Sequence, residues 1–378
     1  MASDEVDMSN SKKLQLQQPS LPWRMTSSTI MGLTSAIFRG FLYGLNSVEV
    51  TGLENFLEIL DNRKDIEKRQ RGLITVSNHV SVLDDPLIWG VLPLKYGFNP
   101  SNHRWSLGAH DICFKNKFLS SFFASGQVLP THRSQYSPHG GLFQSTISQA
   151  IRLLSSQPFT TPTPSSSEDS HDVSDPFTSN GLTFTTNGTD EYVAPSVYTQ
   201  NRHSWIHVFP EACVHQHPKM FVRYFKWGIS RMILESEPMP DVLPMFIDGA
   251  QRVMPEDRKW PRFVPRFPVK FRIAFGELLD TEKTFGDLRA RWQELVRREK
   301  KTLAMGELTD ELKYGKEAVD LRIEVARRVR EEVLKVRRSM GYPDEEEPGF
   351  ELAETWAREP SKDRFKSNVD DSLVNKRE

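Results

Sequence analysis

The stretch that most constrains this chain is Gly72 to His79, GLITVSNH, a β-branched run that stays apolar until it ends in Ser77-Asn78-His79. A strand with one solvated face alternates apolar and polar residues. A run without alternation must be covered on both faces, as happens inside a largely parallel sheet flanked by helices. Ser47 to Thr51, Gln127 to Leu129, Trp205 to Phe209, Val242 to Phe246 and Val269 to Phe275 are further strand candidates. In the last of these, Val269, Phe271, Ile273 and Phe275 face one way and Lys270 and Arg272 the other. Pro244, inside a strand candidate, predicts an edge strand or a kink beside a pocket. Helical patterns lie between most strands, among them a charged segment around Asn55 to Gln70, so the fold class is α/β with a mostly parallel central sheet.

Directly after the apolar run the chain reads Asn78-His79-Val80-Ser81-Val82-Leu83-Asp84-Asp85-Pro86. Loops at strand ends are where α/β folds collect reactive side chains. On a continuous helix two residues five apart would be separated by about 140° and could not meet, so a bend is required. Pro86 supplies it by disfavouring helical geometry at Asp85, and it predicts Asp85 as N-cap of a helix through Leu87, Ile88 and Trp89. Asp84 is then free to curl back to His79. An imidazole held by a carboxylate is a competent general base, and its matching substrate is an alcohol. His-x4-Asp spacing alone is a weak signal, since a strand-end histidine and a helix cap produce it equally well.

Further clusters follow in order. Gln127 to Arg133 is a strand leading into an arginine able to form a bidentate pair with phosphate, and a helix runs from about Gly140 to Leu154. Trp205 to Ala212 runs a strand into Phe209-Pro210-Glu211. From Met220 to Ile233 aromatic and cationic residues interleave, and Phe221, Tyr224, Phe225 and Trp227 either contact a membrane or belong to a core helix with snorkelling cations.

The rest of the chain divides as follows. Residues 1–28 read as a disordered tail whose Asp4, Glu5 and Asp7 fit neither a matrix presequence nor a secretory signal. Residues 29–45 are apolar and aromatic but short for a span and interrupted by Arg39, which predicts an interfacial membrane helix, with a buried core helix as the alternative. Residues 29–340 read as the main folded domain. Within them 155–200, rich in Ser, Thr, Pro, Asn and Gly, reads as a disordered insertion, and 316–340 as a C-terminal amphipathic helix. The basic residues around that helix, Arg327 to Arg338, either solvate it or touch anionic lipid. Residues 341–378 form a charged, disordered tail. The 49 basic and 50 acidic side chains nearly cancel, so no long-range field argues for a nucleic-acid partner. Cys113 and Cys213 are too few for a disulfide framework.

Taken in order, Asn-His-x-Ser-x-x-Asp, a strand with arginine, Phe-Pro-Glu, and a strand with proline resemble the glycerolipid acyltransferase family. The strings Ile74 to His79 with Asp84-Asp85-Pro86 and Trp89-Gly90, Asp111-Ile112-Cys113-Phe114, and Phe225-Lys226-Trp227-Gly228-Ile229 with Arg231 resemble its phospholipid–lysophospholipid transacylase branch. The similarity runs over about Leu21 to Leu279 without the insertion. It implies a glycerol-phosphate acyltransferase-like fold with His79 as base and Asp84 orienting it. Arg133 would be a phosphate ligand and Glu211 would shape the acceptor site, with Asn78 and Ser81 also at the substrate. No metal, cofactor or covalent acyl-enzyme is implied. The implied partners are phosphatidylcholine, monolysocardiolipin and cardiolipin at mitochondrial membranes, on the side facing the intermembrane space. The nearest alternative is acyl-CoA-dependent acylation of a lysophospholipid or 1-acylglycerol-3-phosphate, and a catalytically inactive membrane-binding protein is an alternative of another class. Where the family has glycine after Phe-Pro-Glu this chain has Ala212, placing a methyl group where close approach or positive φ is wanted.

Overall fold

A computed structural model describes residues 18–134, 136–156, 178–179, 183–299, 308–345, 349–353 and 355. Its centre is a seven-stranded sheet. The strands are β1 (Ser47–Thr51), β2 (Leu73–Val76), β3 (Arg104–Ala109), β4 (Val128–Thr131), β8 (Trp205–Val208), β9 (Asp241–Asp248) and β10 (Lys270–Phe275), while the two-residue strands β5 (Thr178–Ser179), β6 (Thr183–Phe184) and β7 (Tyr192–Val193) form a separate small sheet. The order across the large sheet is β1-β10-β9-β2-β8-β3-β4. Only the β9–β10 pair is antiparallel; the other five pairs are parallel.

Every residue of β2 is buried, which is why its sequence does not alternate. It sits mid-sheet with β9 on one side and β8 on the other. Because β2, β8, β3 and β4 run parallel, the loops that follow them collect along one rim. That rim holds His79, Glu211, His110 and Arg133. The expectation for Pro244 is corrected here: β9 is interior, between β10 and β2. Pro244 is tolerated because it lies opposite Val76, the last residue of β2, and its carbonyl still accepts from the Gly276 N–H at 2.8 Å.

Helices cover both faces. Used below are α1 (Leu21–Leu45), α2 (Leu53–Asn62), α3 (Asp84–Gly90), α4 (Lys117–Ser125), α5 (Ser145–Leu154), α6 (Gly228–Glu235), α7 (Thr281–Arg298) and α8 (Lys316–Ser339). Phe56 and Leu60 of α2, Ile147 to Leu154 of α5, Met232 and Ile233 of α6, Phe285 and Trp292 of α7, and Val325, Val329 and Val333 of α8 join the β2, β8 and β9 side chains in one apolar core.

Several boundaries differ from those expected. The first helix starts at Leu21, not Thr29, with Ser20 accepting from the Trp23 N–H as its cap, so residues 21–28 belong to it. Residues 1–17, most of the proposed N-terminal tail, lie outside the described residues, as do 157–177 of the insertion and 356–378 of the C-terminal tail. The back of the insertion departs from expectation. From Thr183 it packs around Phe184, Ala194 and Val197, which with Tyr192 make a small apolar cluster that the polar composition concealed.

Candidate active site

His79 leaves the end of β2 in a loop that the sheet anchors from both sides. Asn78 hydrogen-bonds Ile247 of β9 reciprocally, its Nδ2 donating to the carbonyl and its Oδ1 accepting from the N–H, both at 2.9 Å. The amide thus continues the sheet ladder past the last strand residue. On the other side Glu211, two residues beyond Phe209, accepts the His79 N–H on Oε1 at 2.8 Å and the Arg223 N–H on Oε2 at 2.9 Å.

Asp84 closes the loop. Its Oδ2 accepts from His79 Nδ1 at 2.9 Å, from the Val80 N–H at 2.6 Å and from the Ser81 N–H at 2.8 Å. The carboxylate is fully buried, whereas the His79 side chain keeps part of its surface open. Burial pushes the Asp84 carboxyl upward, and His79 and the two N–H groups pull it back. Since a carboxylate only accepts, Nδ1 carries the imidazole proton and Nε2 presents its lone pair. The Phe209 ring stacks on the imidazole, with centroids 4.3 Å apart and planes at 24°. The ring is thereby held on one edge by charge and on one face by an aromatic.

The bend is built differently from the expected cap. The helix begins at Asp84 itself, with Leu83 in the cap position. Asp85 turns to the neighbouring strand, where it accepts from Arg104 of β3 and from Trp89 Nε1, the latter at 2.9 Å. Two adjacent acids therefore serve different partners, one orienting the imidazole and one tying α3 to β3. Behind them Thr75, Trp205 and the buried His207 are linked through Thr75 Oγ1, and burial depresses the His207 pKa to about 3, keeping it neutral.

Four expected substrate contacts have other partners. Asn78 and Ser81 are buried and bond the protein's own backbone, Ser81 Oγ accepting from the Leu83 N–H. Through these bonds they shape the loop. Glu211 is likewise buried, and both its oxygens are taken by the His79 and Arg223 backbone N–H groups. Burial raises its carboxyl to about 7 despite the two N–H donors. Arg133 is at the rim but three strands from β2, about 14 Å at the usual strand spacing. It pairs with Asp111 and lies over the Tyr136 ring at 4.3 Å. A phosphate there would have to compete with that carboxylate. Ala212 does adopt the left-handed φ of +53° for which glycine is suited.

The aromatic assignment is overturned. Phe221 and Tyr224 are buried in a small cluster with Phe350 and Ala353 of the C-terminal segment, while Phe225 is buried in the main core and Trp227 packs against it. Arg337 donates to the Met220 carbonyl and Arg330 to the Val222 and Arg223 carbonyls, so basic side chains of α8 face this segment and not lipid. The sequence reading missed β3 altogether, and it missed Gln216, which bonds the His79–Asp84 loop at Val80. No local pattern marks an isolated glutamine for that task. Among the described residues, His110, His132 and Asp190 offer ligand atoms within 4.8 Å of one another. Hydrogen bonds account for that cluster: His132 Nε2 meets Thr186 Oγ1 at 2.7 Å, Thr186 bonds Asp190, and Tyr192 reaches His110.

A mostly parallel α/β sheet whose rim carries a carboxylate-held imidazole on a His-x4-Asp loop is the build of an acyltransferase, and the family model described as Acyltransferase matches residues 47–248. Tafazzin of Saccharomyces cerevisiae is 36% identical over 343 residues, covering 89% of this chain and 84% of the yeast protein. Tafazzin of Drosophila melanogaster is 29% identical, covering 73% of this chain and 57% of its own. An N-acylphosphatidylethanolamine synthase of Arabidopsis thaliana is 30% identical, over 55% and 56% respectively. The chain belongs to the acyltransferases and, among them, to the tafazzin family.

Proposed function

We propose that this acyltransferase moves acyl chains between phospholipids and lysophospholipids without coenzyme A, remodelling cardiolipin with monolysocardiolipin as acceptor. The observation that carries the reading is the 2.9 Å bond from His79 Nδ1 to buried Asp84, which leaves Nε2 as the free base on a partly open imidazole. Nε2 takes the proton of a lysolipid hydroxyl as that oxygen attacks the ester carbonyl of the donor. Asp84 stabilises the resulting imidazolium. The tetrahedral intermediate collapses, the donor's glycerol oxygen leaves, and the imidazolium returns the proton to it. One ester bond forms and one breaks. No co-reactant is consumed.

The site reads as one served from a bilayer at mitochondrial membranes, facing the intermembrane space. No helix among the described residues is long and apolar enough to cross a membrane. Support for peripheral seating comes from α1, which buries Ser27, Gly32, Ser35 and Leu42 while exposing Leu21, Met25, Leu33 and Ile37. A helix in water would do the reverse.

Purified chain is given acyl-labelled phosphatidylcholine and monolysocardiolipin with coenzyme A absent. Label is expected in cardiolipin and is expected to vanish with His79→Ala. Label transfer only when acyl-CoA is supplied would assign the alternative, and transfer to the amine of phosphatidylethanolamine would assign the reaction named for the Arabidopsis relative.

A further inference from the structure

One segment is more exposed than anything the function described so far requires. Between β9 and β10 the chain reads Arg258-Lys259-Trp260-Pro261-Arg262-Phe263-Val264-Pro265-Arg266-Phe267, three aromatics and four cations without an acid. Trp260 is 85% exposed, Phe263 76% and Phe267 55%. Aromatics of this size are ordinarily covered, and a contiguous patch of them in water marks a contact surface.

The loop holds its shape by internal bonds. Arg258 donates to the Pro255 and Arg262 carbonyls, Arg262 to the Glu256 carbonyl and Arg266 to the Lys259 carbonyl. These bonds satisfy donors but neutralise no charge. Burial first, then the nearby Arg262 and Arg266 guanidiniums, lower the Arg258 pKa against the opposing pull of Glu256, so the cations repel one another and the nearby acid offsets this only in part. An anionic surface relieves that repulsion. On its inner side Phe267 meets Phe41 of α1 edge-on, centroids 6.3 Å apart, which joins the loop to the helix carrying the exposed apolar face. At its root Gln216 donates to the Met254 carbonyl at 3.1 Å and accepts the Glu256 N–H at 2.9 Å, while the same amide donates to the Val80 carbonyl at 2.8 Å. One glutamine thus ties the loop to the residue beside His79.

We propose that residues 258–267 form a docking loop for a bilayer surface containing anionic phospholipid, Trp260, Phe263 and Phe267 entering the headgroup boundary and Lys259 and Arg262 meeting lipid phosphates. Amphipathic aromatics beside basic side chains have the chemistry of that boundary, and each cation close to an anionic leaflet adds about 1 kcal/mol of attraction. The Gln216 link makes the loop set the height of the catalytic loop above the membrane. The inference takes from the acyltransferase reading only the purpose of docking, since binding itself needs no chemistry.

Full-length chain is sedimented with vesicles of phosphatidylcholine alone or with phosphatidylglycerol, as wild type, Trp260→Ser with Phe263→Ser, Lys259→Gln with Arg262→Gln, and His79→Ala. Wild type and His79→Ala should bind the anionic vesicles equally. The aromatic pair should weaken binding to them by about 10-fold or more, and the cation pair should remove most of the preference for phosphatidylglycerol. Both pairs should keep the wild-type thermal midpoint and acyl transfer on detergent-dispersed substrate. Unchanged vesicle binding by the aromatic pair overturns the proposal. A dimer-to-monomer shift in that pair with vesicle binding intact overturns it too, by assigning the loop to self-association. Loss of vesicle binding in the aromatic pair, with no acyl transfer by any protein, sinks the enzymatic reading and leaves the docking loop standing.

Discussion

Nδ1 of His79 meets one acceptor, and that acceptor has three donors converging on a single oxygen. Replacing Asp84 by Asn can leave all three N–H donors on the one amide oxygen, but it removes the negative charge that stabilises the imidazolium. Turnover is expected to fall about 10²- to 10⁴-fold in both Asp84→Asn and His79→Ala, with KM little altered, in the coenzyme-free transfer assay. Near-normal turnover in Asp84→Asn would remove the role given to the Asp84 charge. Glu211 titrates near 4.5 when unfolded and holds its proton to about 7 in the fold. Between those values the native state binds more protons, so this stabilising contribution is full below 4.5 and is lost as pH rises through about 7. Urea midpoints of wild type and Glu211→Gln, measured over that window, should show the wild type falling more steeply. Ala212 sits at φ +53°, so Ala212→Gly should raise stability by about 0.5–1 kcal/mol in urea unfolding, less strain outweighing added unfolded-state entropy. The resemblance pointed to glycine here; the φ supplies its cause.

At the scale of elements, α1 does two jobs with two faces. Gly90 of α3 lets the two helices approach closely: a Cβ there would lie 3.0 Å from the Phe38 backbone carbon of α1. Arg39, the cation that disqualified this stretch as a span, reaches the C-terminal end of α3 and donates to the Val91 and Leu92 carbonyls at 2.8 and 3.2 Å. It serves as a cap for the helix whose first residue is Asp84. Arg39→Leu should lower unfolding free energy by about 1.5–3 kcal/mol and reduce turnover by loosening α3, read by denaturant titration alongside the transfer assay. On the other face, Leu33→Asn with Ile37→Asn should change stability by no more than about 0.5 kcal/mol yet weaken vesicle association. Strands β2, β8 and β10 were readable because β-branched and aromatic runs bounded by polar residues say little else. β3, beginning Arg104-Trp105-Ser106, escaped notice because its arginine is buried against Asp85, a partner that only folding supplies.

For the molecule as a whole, the His79 loop, α1 and the 258–267 loop are linked through Gln216 and the Phe41–Phe267 contact, so the proposed chemistry and the proposed membrane contact share one set of connected elements. The local sequence determined the parallel α/β core, the placement of His79 at a strand end and the bend that returns Asp84 to it. Those features follow from residue shape and polarity within a few positions, although the cap of the bend is Leu83 and not the Asp85 that Pro86 predicted. Tertiary structure alone decided that Phe221 and Tyr224 are covered by Phe350 and Ala353 while Trp260, Phe263 and Phe267 are exposed, and that Asn78 and Glu211 bond backbone groups. Burial of one segment depends on what another, a hundred residues away in sequence, packs against it, and interleaved aromatics and cations look the same in either setting.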